Sequence, residues 1–296
     1  MLKSSLEFIV RNRFPPVLFA CGYGSGVFKQ ATMPTAGKMV DTIFVVEKAS
    51  SWHGENINRN PTDYAFLPKY VFPTHTTEKI QRNIGGSMWF NTLIECETER
   101  KERMMMKYGV ISLEDLLEDC TKWTKLYVAG RLQKPVLVLD TPAHAHHQEA
   151  IEQAIQTNRQ NALKAALAIT GAGEKVSIQR LLEEIVGLSY GGDVRVGLAE
   201  SPTKVVDITK GSFNELQDLY IKSDLSKDLI KQVNLNEVVS TMEFSELVSL
   251  LPPHFNQASN PNDLRLRLSS VVRSSSFSQT LKGFLTAGMT KSVDMD

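Results

Sequence analysis

Glycines, a serine and a single carboxylate lie together near the start of the chain. An apolar run ends in G-Y-G-S-G (residues 22–26), and Asp41 follows directly before a second apolar run, T-I-F-V-V. Because glycine has no Cβ, the N–H groups of Gly24 and Gly26 can approach an anion closely, and the Ser25 hydroxyl can donate another hydrogen bond. Asp41 supplies the hard oxygen ligand that Mg²⁺ prefers. The pattern predicts a site for a nucleotide triphosphate with its metal ion.

Two folds compete for this stretch. A dinucleotide-binding βαβ unit needs G-x-G-x-x-G and an acid at the far end of its second strand, but here the spacing is G-x-G-x-G and Asp41 precedes the strand. If the second strand instead runs antiparallel beside the first, Asp41 lies close to the glycine-serine turn, as in nucleotidyltransferases. Their signature has a second carboxylate two residues later, where this chain has Ile43. A plain glycine turn with a strand-capping aspartate is the alternative without chemistry.

Three basic residues are candidates for contact with phosphates. Lys107 stands in an apolar strand predicted over residues 104–111, where a buried cation is costly unless an anion meets it. Arg131 and Lys134 lie three residues apart, before a predicted strand at 136–139. A guanidinium and an ammonium can together hold a polyphosphate and neutralise charge during transfer. A lysine that points to solvent and an ordinary basic loop are the respective alternatives.

Composition limits the class of protein. The chain has 296 residues, of which 42% are hydrophobic and 22% charged, so it can build a core and could hold two domains. Lys plus Arg and Asp plus Glu each total 33, which excludes a global attraction to nucleic acid or anionic lipid. The three widely spaced cysteines indicate reduced thiols without a disulfide framework or a zinc site. No run reaches the ~20 apolar residues that span a bilayer.

The remaining pattern predicts an α/β fold, with a mixed sheet and helices, in residues 1–145. The predicted elements are an amino-terminal helix on the core in residues 1–14, for which a transit peptide is the alternative; a loop at 47–64 with one turn of helix around Trp52 and His53; strands at 87–96 and 104–111; and a helix that begins after Ser112. His144, His146 and His147 are interpreted as exposed linker residues, because no further ligand has the spacing of a metal site.

Residues 146–250 are predicted to form a helical second domain. A long helix at 148–169 and a second helix from Ser177 precede a glycine-rich turn and a short strand, V-R-V-G-L, which favours a winged-helix-like arrangement; residues 211–251 are predicted to be helical again. The second helix carries L-L-E-E and not a basic face, which argues against DNA. We interpret this domain as the partner that closes the nucleotide cleft, with Tyr190, Asp193 and Arg195 facing it.

The third predicted unit, residues 251–296, is basic. Residues 264–288 alternate apolar residues at helical spacing with four cations, Arg265, Arg267, Arg273 and Lys282. Such a segment can lie in the interface of an anionic membrane. A terminal helix docked on the protein is the alternative.

Longer blocks of the chain resemble the mitochondrial phosphatidate cytidylyltransferase family, also described as translocator assembly and maintenance proteins. The blocks are Y-G-S-G-V-F (23–28), S-W-H (51–53), G-G-S-M-W-F-N (85–91), K-Y-G-V-I-S (107–112), L-Y-V-A-G-R-L-Q-K-P-V (126–136), G-L-S-Y-G-G-D-V-R (187–195) and V-V-R-S-S-S-F-S-Q-T-L-K-G-F-L-T-A-G (271–288). The resemblance extends over nearly the whole chain.

The resemblance implies synthesis of CDP-diacylglycerol and pyrophosphate from CTP and phosphatidic acid, with Mg²⁺, for cardiolipin and phosphatidylglycerol. It also implies a peripheral protein on the matrix side of the mitochondrial inner membrane, and it leaves a homo-oligomer open. The family tends to carry acids where Glu47 and Lys48 stand here, but Glu47 lies about 20 Å along the strand from Asp41. The second metal-binding carboxylate is therefore open. A nucleotidyltransferase with another acceptor and a non-catalytic assembly factor are the alternatives.

Overall fold

The computed structural model of the chain describes residues 1–28, 39–65, 68–69, 73–141, 145–195 and 201–287. The helices in these ranges are α1 (Leu2–Arg13), α2 (Ala49–Arg59), α3 (Thr74–Asn83), α4 (Leu113–Lys122), α5 (Val128–Leu132), α6 (Ala145–Thr170), α7 (Ile178–Gly187), α8 (Lys204–Gly211), α9 (Phe213–Tyr220), α10 (Phe244–Ser249) and α11 (Pro261–Ala287). The strands are β1 (Phe19–Tyr23), β2 (Val40–Val46), β3 (Trp89–Glu97), β4 (Arg103–Ser112), β5 (Leu137–Leu139), β6 (Lys175–Ser177), β7 (Ile230–Gln232) and β8 (Glu237–Ser240).

A five-stranded mixed sheet organises the first half of the chain, and it confirms the predicted α/β class. Its order is β3-β4-β2-β1-β5, with β2 parallel to β4 and the other neighbours antiparallel. The predicted antiparallel pairing of the first two strands is present, and it puts Tyr23 opposite Asp41. On the other side of β2, Asp41 lies beside Lys107.

The alternation of side chains along β2 divides them between two cores. Phe44 and Val46 pack with residues of α1 and α2, whereas Ile43 and Val45 pack with residues of α4 and α6. Full burial of one such side chain stabilises the fold by about 1.5–3 kcal/mol relative to exposure. Because side chains alternate with a period of two, Asp41 belongs to the face of Ile43 and Val45.

Local capping explains where two predicted helices begin. The Ser112 hydroxyl accepts a hydrogen bond from the backbone N–H of Asp115 at the start of α4, and the Ser177 hydroxyl accepts one from Arg180 at the start of α7. A side-chain cap of this kind contributes about 1 kcal/mol. The amino-terminal segment is the predicted helix on the core, because Leu6 and Ile9 of α1 are buried against the sheet.

Two predictions of secondary structure were wrong. The predicted loop at 47–64 contains the eleven-residue helix α2, whose polar residues form buried hydrogen bonds with other elements. The predicted helical stretch 211–251 contains β7 and β8, which form a three-stranded sheet with β6. These strands have only three and four residues, too few to show a clear period of two.

Other predictions are corrected in part. His146 and His147 lie in the first turn of α6 and not in a linker, whereas His144 lies outside the described residues. In the predicted strand V-R-V-G-L, Val194 and Arg195 form part of a turn, and the three residues that follow are outside the described ranges. Nothing in the structure tests the domain limits at 145 and 250, which stay predictions.

A buried polar network explains why α2 is helical despite its polar sequence. His53 has its Nδ1 2.8 Å from the Tyr64 hydroxyl and its Nε2 2.8 Å from Oε1 of Gln81. Because the Gln81 oxygen can only accept, Nε2 carries the proton and Nδ1 accepts from Tyr64. The Tyr108 hydroxyl of β4 donates to Asp63, 3.0 Å away. The network therefore joins α2, α3 and the sheet through neutral groups and one carboxylate.

We expect this network to make stability depend on pH through His53. Burial lowers the pKa of His53 from about 6.5 to about 4, opposed in part by its hydrogen bond to Gln81. Between these values the unfolded chain binds a proton that the folded chain does not, so stability is complete above pH 6.5 and is lost as the pH falls towards 4. At about 1.4 kcal/mol per pKa unit, the loss near pH 4 is about 3 kcal/mol.

Urea unfolding from pH 7.5 to 4.5 measures this effect. The variant His53→Gln should be less stable at pH 7.5 but should lose less stability on acidification than the unchanged protein. His254→Gln is the control, because His254 is exposed, and it should keep the original pH profile. Parallel profiles for the unchanged protein and His53→Gln would contradict the expectation.

Candidate functional site

The glycine-serine turn lies directly after β1. The carbonyl of Gly24 accepts hydrogen bonds from the backbone N–H groups of Val27 and Phe28, at 3.1 and 2.9 Å. Gly24 has φ +75°, a conformation that favours glycine. A Cβ at Gly26 would lie 2.5 Å from the carbonyl oxygen of Met39, so this glycine permits close contact with the start of β2. The turn is therefore held against the segment that contains Asp41.

Asp41 and Lys107 form an ion pair at the base of this turn. Their closest N–O distance is 3.8 Å, and each side chain is about a quarter exposed. A Cβ added at Gly24 would be 3.5 Å from Oδ2 of Asp41, so the carboxylate lies next to the turn, as predicted. The Lys107 ammonium also lies 5.0 Å from the centre of the Phe90 ring. A partly exposed ion pair at this distance contributes little to the stability of the fold. Asp41 and Lys107 can therefore each exchange this contact for one with a ligand.

The α5 region brings two cations to the same place. The Arg131 guanidinium lies 4.0 Å from the ring centre of Tyr127 and donates a 2.7 Å hydrogen bond to the backbone carbonyl of Tyr127. Lys134 donates to the Ser189 hydroxyl at 2.7 Å and lies 4.9 Å from the centre of the Tyr190 ring. These contacts connect the A-G-R-L-Q-K-P-V segment to the G-L-S-Y segment after α7.

Further polar groups complete the opposite wall. Arg195 donates to both carboxylate oxygens of Asp193, at 3.0 and 2.6 Å. Burial alone would raise the pKa of Asp193, but the hydrogen bonds and charge of Arg195 outweigh it and leave that pKa below its usual value. The Ser276 hydroxyl of α11 accepts a hydrogen bond from the backbone of Val194. Three separate segments are thus fixed around one cavity.

These groups line one cleft, whose polar and charged lining suits a small phosphorylated ligand. Its lining includes four cations and two carboxylates. The polar lining residues are Tyr23, Gly24, Ser25, Asp41, Tyr127, Gly130, Arg131, Lys134, Ser189, Tyr190, Asp193, Arg195, Lys204, Ser212, Ser275 and Ser276. The excess of positive charge in a partly enclosed space attracts anions although the whole chain is neutral.

Most of the predicted site residues meet in this cleft. Gly24, Ser25, Asp41, Arg131 and Lys134 line it, together with the three residues predicted to face it from the second domain. Gly26 and Lys107 do not line the cleft. Gly26 lies against the start of β2, and Lys107 is paired with Asp41, which does line the cleft.

The sequence analysis missed several lining residues. Tyr23 has a local signal, because it stands between two glycines of the turn. Lys204 has none, since it lies in no recognised motif, and Ser275 and Ser276 lie in the block at 271–288 but have no feature that distinguishes them within it.

The four predicted lipid-contacting cations on α11 have different environments. Lys282 is only 2% exposed, and its ammonium donates to the backbone carbonyls of Gln81 and Ile84, so its assignment to lipid was wrong. Arg267 is half-buried in an ion pair with Asp263 on the same helix. Arg265 is paired with Glu184 of α7, and Arg273 is exposed. The helix is docked on the protein, which was the alternative prediction.

The fold and the cleft define an α/β protein with a cleft lined by a glycine-serine turn, an aspartate and several cations. Comparison with known proteins identifies the class more closely. A family model described as "Phosphatidate cytidylyltransferase, mitochondrial" matches residues 6–259. The chain belongs to this family of nucleotidyltransferases, and the resemblance noted in its sequence is confirmed.

Relatives with the same name extend the similarity along the chain. The protein of Xenopus laevis is 35% identical over 94% of this chain and 88% of its own length. The protein of Mus musculus is 34% identical over 95% of this chain and 89% of its own length, and that of Danio rerio is 32% identical over 99% and 93%. Among the helices that the structure describes, none has the length and apolar character needed to cross a membrane.

The contact of Gly26 with Met39 yields a prediction for stability. In Gly26→Ala the new methyl group meets backbone atoms, which cannot move aside as a flexible side chain can, so we expect a loss of about 1–3 kcal/mol. Gly283→Ala is the matched control, because a Cβ there meets nothing within 4 Å and alanine favours the helix. Urea unfolding should show a lower free energy for the first variant only. Equal stability of Gly26→Ala and the unchanged protein would contradict the described turn.

Proposed function

We propose that this chain transfers the cytidylyl group of CTP to phosphatidic acid, which yields CDP-diacylglycerol and pyrophosphate. The observation that carries the proposal is the convergence of Asp41, the glycine-serine turn and four cations on one cleft, in a chain that belongs to the phosphatidate cytidylyltransferase family. Its product would supply cardiolipin and phosphatidylglycerol synthesis in mitochondria.

The reaction is a displacement at the α-phosphorus of CTP. An oxygen of the phosphatidate phosphate forms a bond to this phosphorus, and the bond to the bridging oxygen of the β-phosphate breaks, so that pyrophosphate leaves with the electron pair. A phosphate monoester is already a competent nucleophile, so no strong general base is required. Catalysis then consists mainly of positioning two anionic reactants and neutralising their charge.

The two walls of the cleft suit the two anionic reactants. On the sheet side, the exposed backbone of Gly24 and the Ser25 hydroxyl can donate to triphosphate oxygens, and Arg131 stays cationic at all relevant pH values. On the opposite side, Arg195 and Lys204 line the cleft, and their charges can offset that of the lipid phosphate. Placing cations on both walls reduces the repulsion between the reactants.

The described residues fit a Mg²⁺ ion that arrives with the nucleotide. Asp41 has a partly exposed carboxylate beside the turn, whereas Ile43 is fully buried and Asp193 is held by Arg195. Among the described residues, no group of three potential ligands could hold a metal ion alone. Mg²⁺ commonly binds one or two carboxylates together with substrate phosphates. Bound by Asp41 and the triphosphate, it would act as a Lewis acid that neutralises phosphate charge.

The order of elements supports a winged-helix-like second domain after a nucleotidyltransferase-like first one. Helix α6 is followed by β6, three helices and the pair β7 and β8, and the sheet order is β6-β8-β7. This unit packs closely on α5, because a Cβ at Gly130 would lie 2.3 Å from Cβ of Ser189. Such contact suits a domain that closes the nucleotide cleft.

We also propose that the outward face of α11 rests on an anionic membrane, on the matrix side of the mitochondrial inner membrane. Leu266, Phe277 and Leu281 are 70%, 62% and 50% exposed and lie at helical spacing on the side opposite to the docked residues. Arg273 is exposed on the same helix, whereas Arg265 is paired with Glu184 of α7. An apolar stripe beside an exposed cation suits a peripheral contact with anionic lipid, where phosphatidic acid resides.

The central test of the reaction is Asp41→Asn, which keeps the shape of the side chain and removes its charge. We expect CDP-diacylglycerol formation from CTP, phosphatidic acid and Mg²⁺ to fall at least about 100-fold, because charge stabilisation in the cleft is lost. Mass spectrometry of the lipid product measures it, and a thermal melt checks folding. Asp218→Asn, at an exposed ion pair, is the control. Full activity of Asp41→Asn would remove Asp41 from the mechanism.

The membrane contact has its own test. The double variant Phe277→Glu/Leu281→Glu should bind vesicles of phosphatidylcholine and phosphatidic acid at least about 10-fold more weakly, because it replaces apolar contacts with negative charge. Its activity on detergent-dispersed phosphatidic acid should be retained. Leu235→Glu, which changes an 86% exposed leucine in the turn between β7 and β8, is the control. Vesicle flotation that is equal for all three proteins would refute the proposed membrane face.

A further inference from the structure

Asp119 is a buried carboxylate outside the cleft with an unusual set of partners. It lies in the last turns of α4 and is 2% exposed. Its Oδ1 accepts hydrogen bonds from the backbone N–H groups of Lys125 and Leu126, at 2.8 and 2.7 Å, and its Oδ2 accepts from Tyr127 and Ala129, both at 3.0 Å. All four of these partners are backbone N–H donors, so both oxygens serve as acceptors, which is the geometry of an ionised carboxylate.

The backbone that Asp119 holds would not adopt this path unaided. Trp123 and Leu126, at either end of the turn between α4 and α5, have φ of +55° and +49°, in the left-handed region that is costly for residues other than glycine. Helix α5 has only five residues, too few to be stable alone. Hydrogen bonds to a charged acceptor are stronger than those between neutral groups, and four of them together offset this strain.

The segment fixed by Asp119 leads into Arg131, one of the cations that line the cleft. The Tyr127 ring is wedged between Gly86, where a Cβ would lie 2.2 Å from the ring, and the Arg131 guanidinium. Arg131 also donates to the Tyr127 carbonyl. The orientation of the guanidinium therefore follows the position of the Tyr127 backbone, and that backbone is bonded to Asp119 through its own N–H.

We infer that Asp119 is a positioning residue for Arg131: it does not itself line the cleft, and it sets the guanidinium through the backbone of residues 125–129. The inference rests on the proposed function for its catalytic consequence. Single substitutions cannot distinguish a positioning role of Asp119 from a structural one, because loss of either Asp119 or Arg131 would lower activity. Only their coupling distinguishes a positioning residue from one that merely stabilises the fold.

A double-mutant cycle measures this coupling. The proteins are the unchanged chain, Asp119→Asn, Arg131→Ala and the double variant. Asparagine keeps one acceptor oxygen and turns an NH₂ group towards two N–H donors, which removes two of the four bonds. We expect Asp119→Asn to lower kcat at saturating CTP and phosphatidic acid about 30-fold when Arg131 is present. In the Arg131→Ala background it should lower kcat less than about 3-fold. Equal factors in both backgrounds would overturn the inference.

Asp115→Asn is the matched control, because Asp115 lies one turn earlier on α4, is nearly as buried, and accepts from Ser112 and not from the α5 segment. It should stay within about 3-fold of the unchanged protein. Rates are divided by the folded fraction from thermal melts. Asp119→Glu, which keeps the charge and displaces it by one methylene group, is run in the same cycle in case Asp119→Asn does not fold.

A second readout is independent of turnover. The same cycle is repeated as pyrophosphate affinity by titration calorimetry. Asp119→Asn should weaken pyrophosphate binding about 10-fold with Arg131 present and less than about 2-fold without it. If the unchanged protein bound pyrophosphate but made no CDP-diacylglycerol, the proposed function would fail, and the calorimetric cycle would still decide the role of Asp119. If Asp119→Asn weakened pyrophosphate binding by the same factor with and without Arg131, the positioning role would be rejected, whatever the activity.

Discussion

The cleft depends on the register between β1 and β2. With Tyr23 opposite Asp41, the turn that leaves β1 stands beside the carboxylate that opens β2. A shift of one residue would turn Asp41 to the side of the sheet that packs on α1 and α2. It would also turn Phe44 to the side that packs on α4 and α6, since side chains alternate between faces. The hydrophobic division of β2 therefore fixes the position of its only acid. The parallel register with β4 then adds Lys107 beside it.

Parts of this arrangement were predictable from the sequence because they are local. Gly24, Ser25 and Asp41 lie within one strand-turn-strand unit, and the apolar runs on both sides define the strands. The Arg131 and Lys134 pair was recognisable by its spacing beside a glycine. Arg195 of the other wall was predicted to face the cleft, but Lys204 and Ser275 were not, since they reach it only through the packing of α8 and α11.

The errors have physical causes of the same kind. Residues 47–64 contain many polar residues, which usually indicate a loop, but His53 and Asn56 are satisfied by partners from α3, β4 and the turn after α2. Lys282 has the sequence context of a lipid-facing cation, yet the free carbonyls at the end of α3 provide it with buried acceptors. In both cases tertiary hydrogen bonds decide, and no periodicity in the sequence encodes them.

Helix α11 connects the site to the rest of the molecule through its docked face. Near its start, Arg265 is paired with Glu184 of α7, and near its end Gln279 accepts from the backbone N–H of Gly86 while Lys282 bonds to the residues before that glycine. Ser275 and Ser276, between these anchors, line the cleft. A helix fixed at both ends holds its middle in place. Since the outward residues of the same helix form the proposed membrane face, the bilayer would lie about one helix diameter, or 10–12 Å, from the wall of the cleft at Ser275 and Ser276. That short distance allows the acyl chains to stay in the membrane while the headgroup reacts.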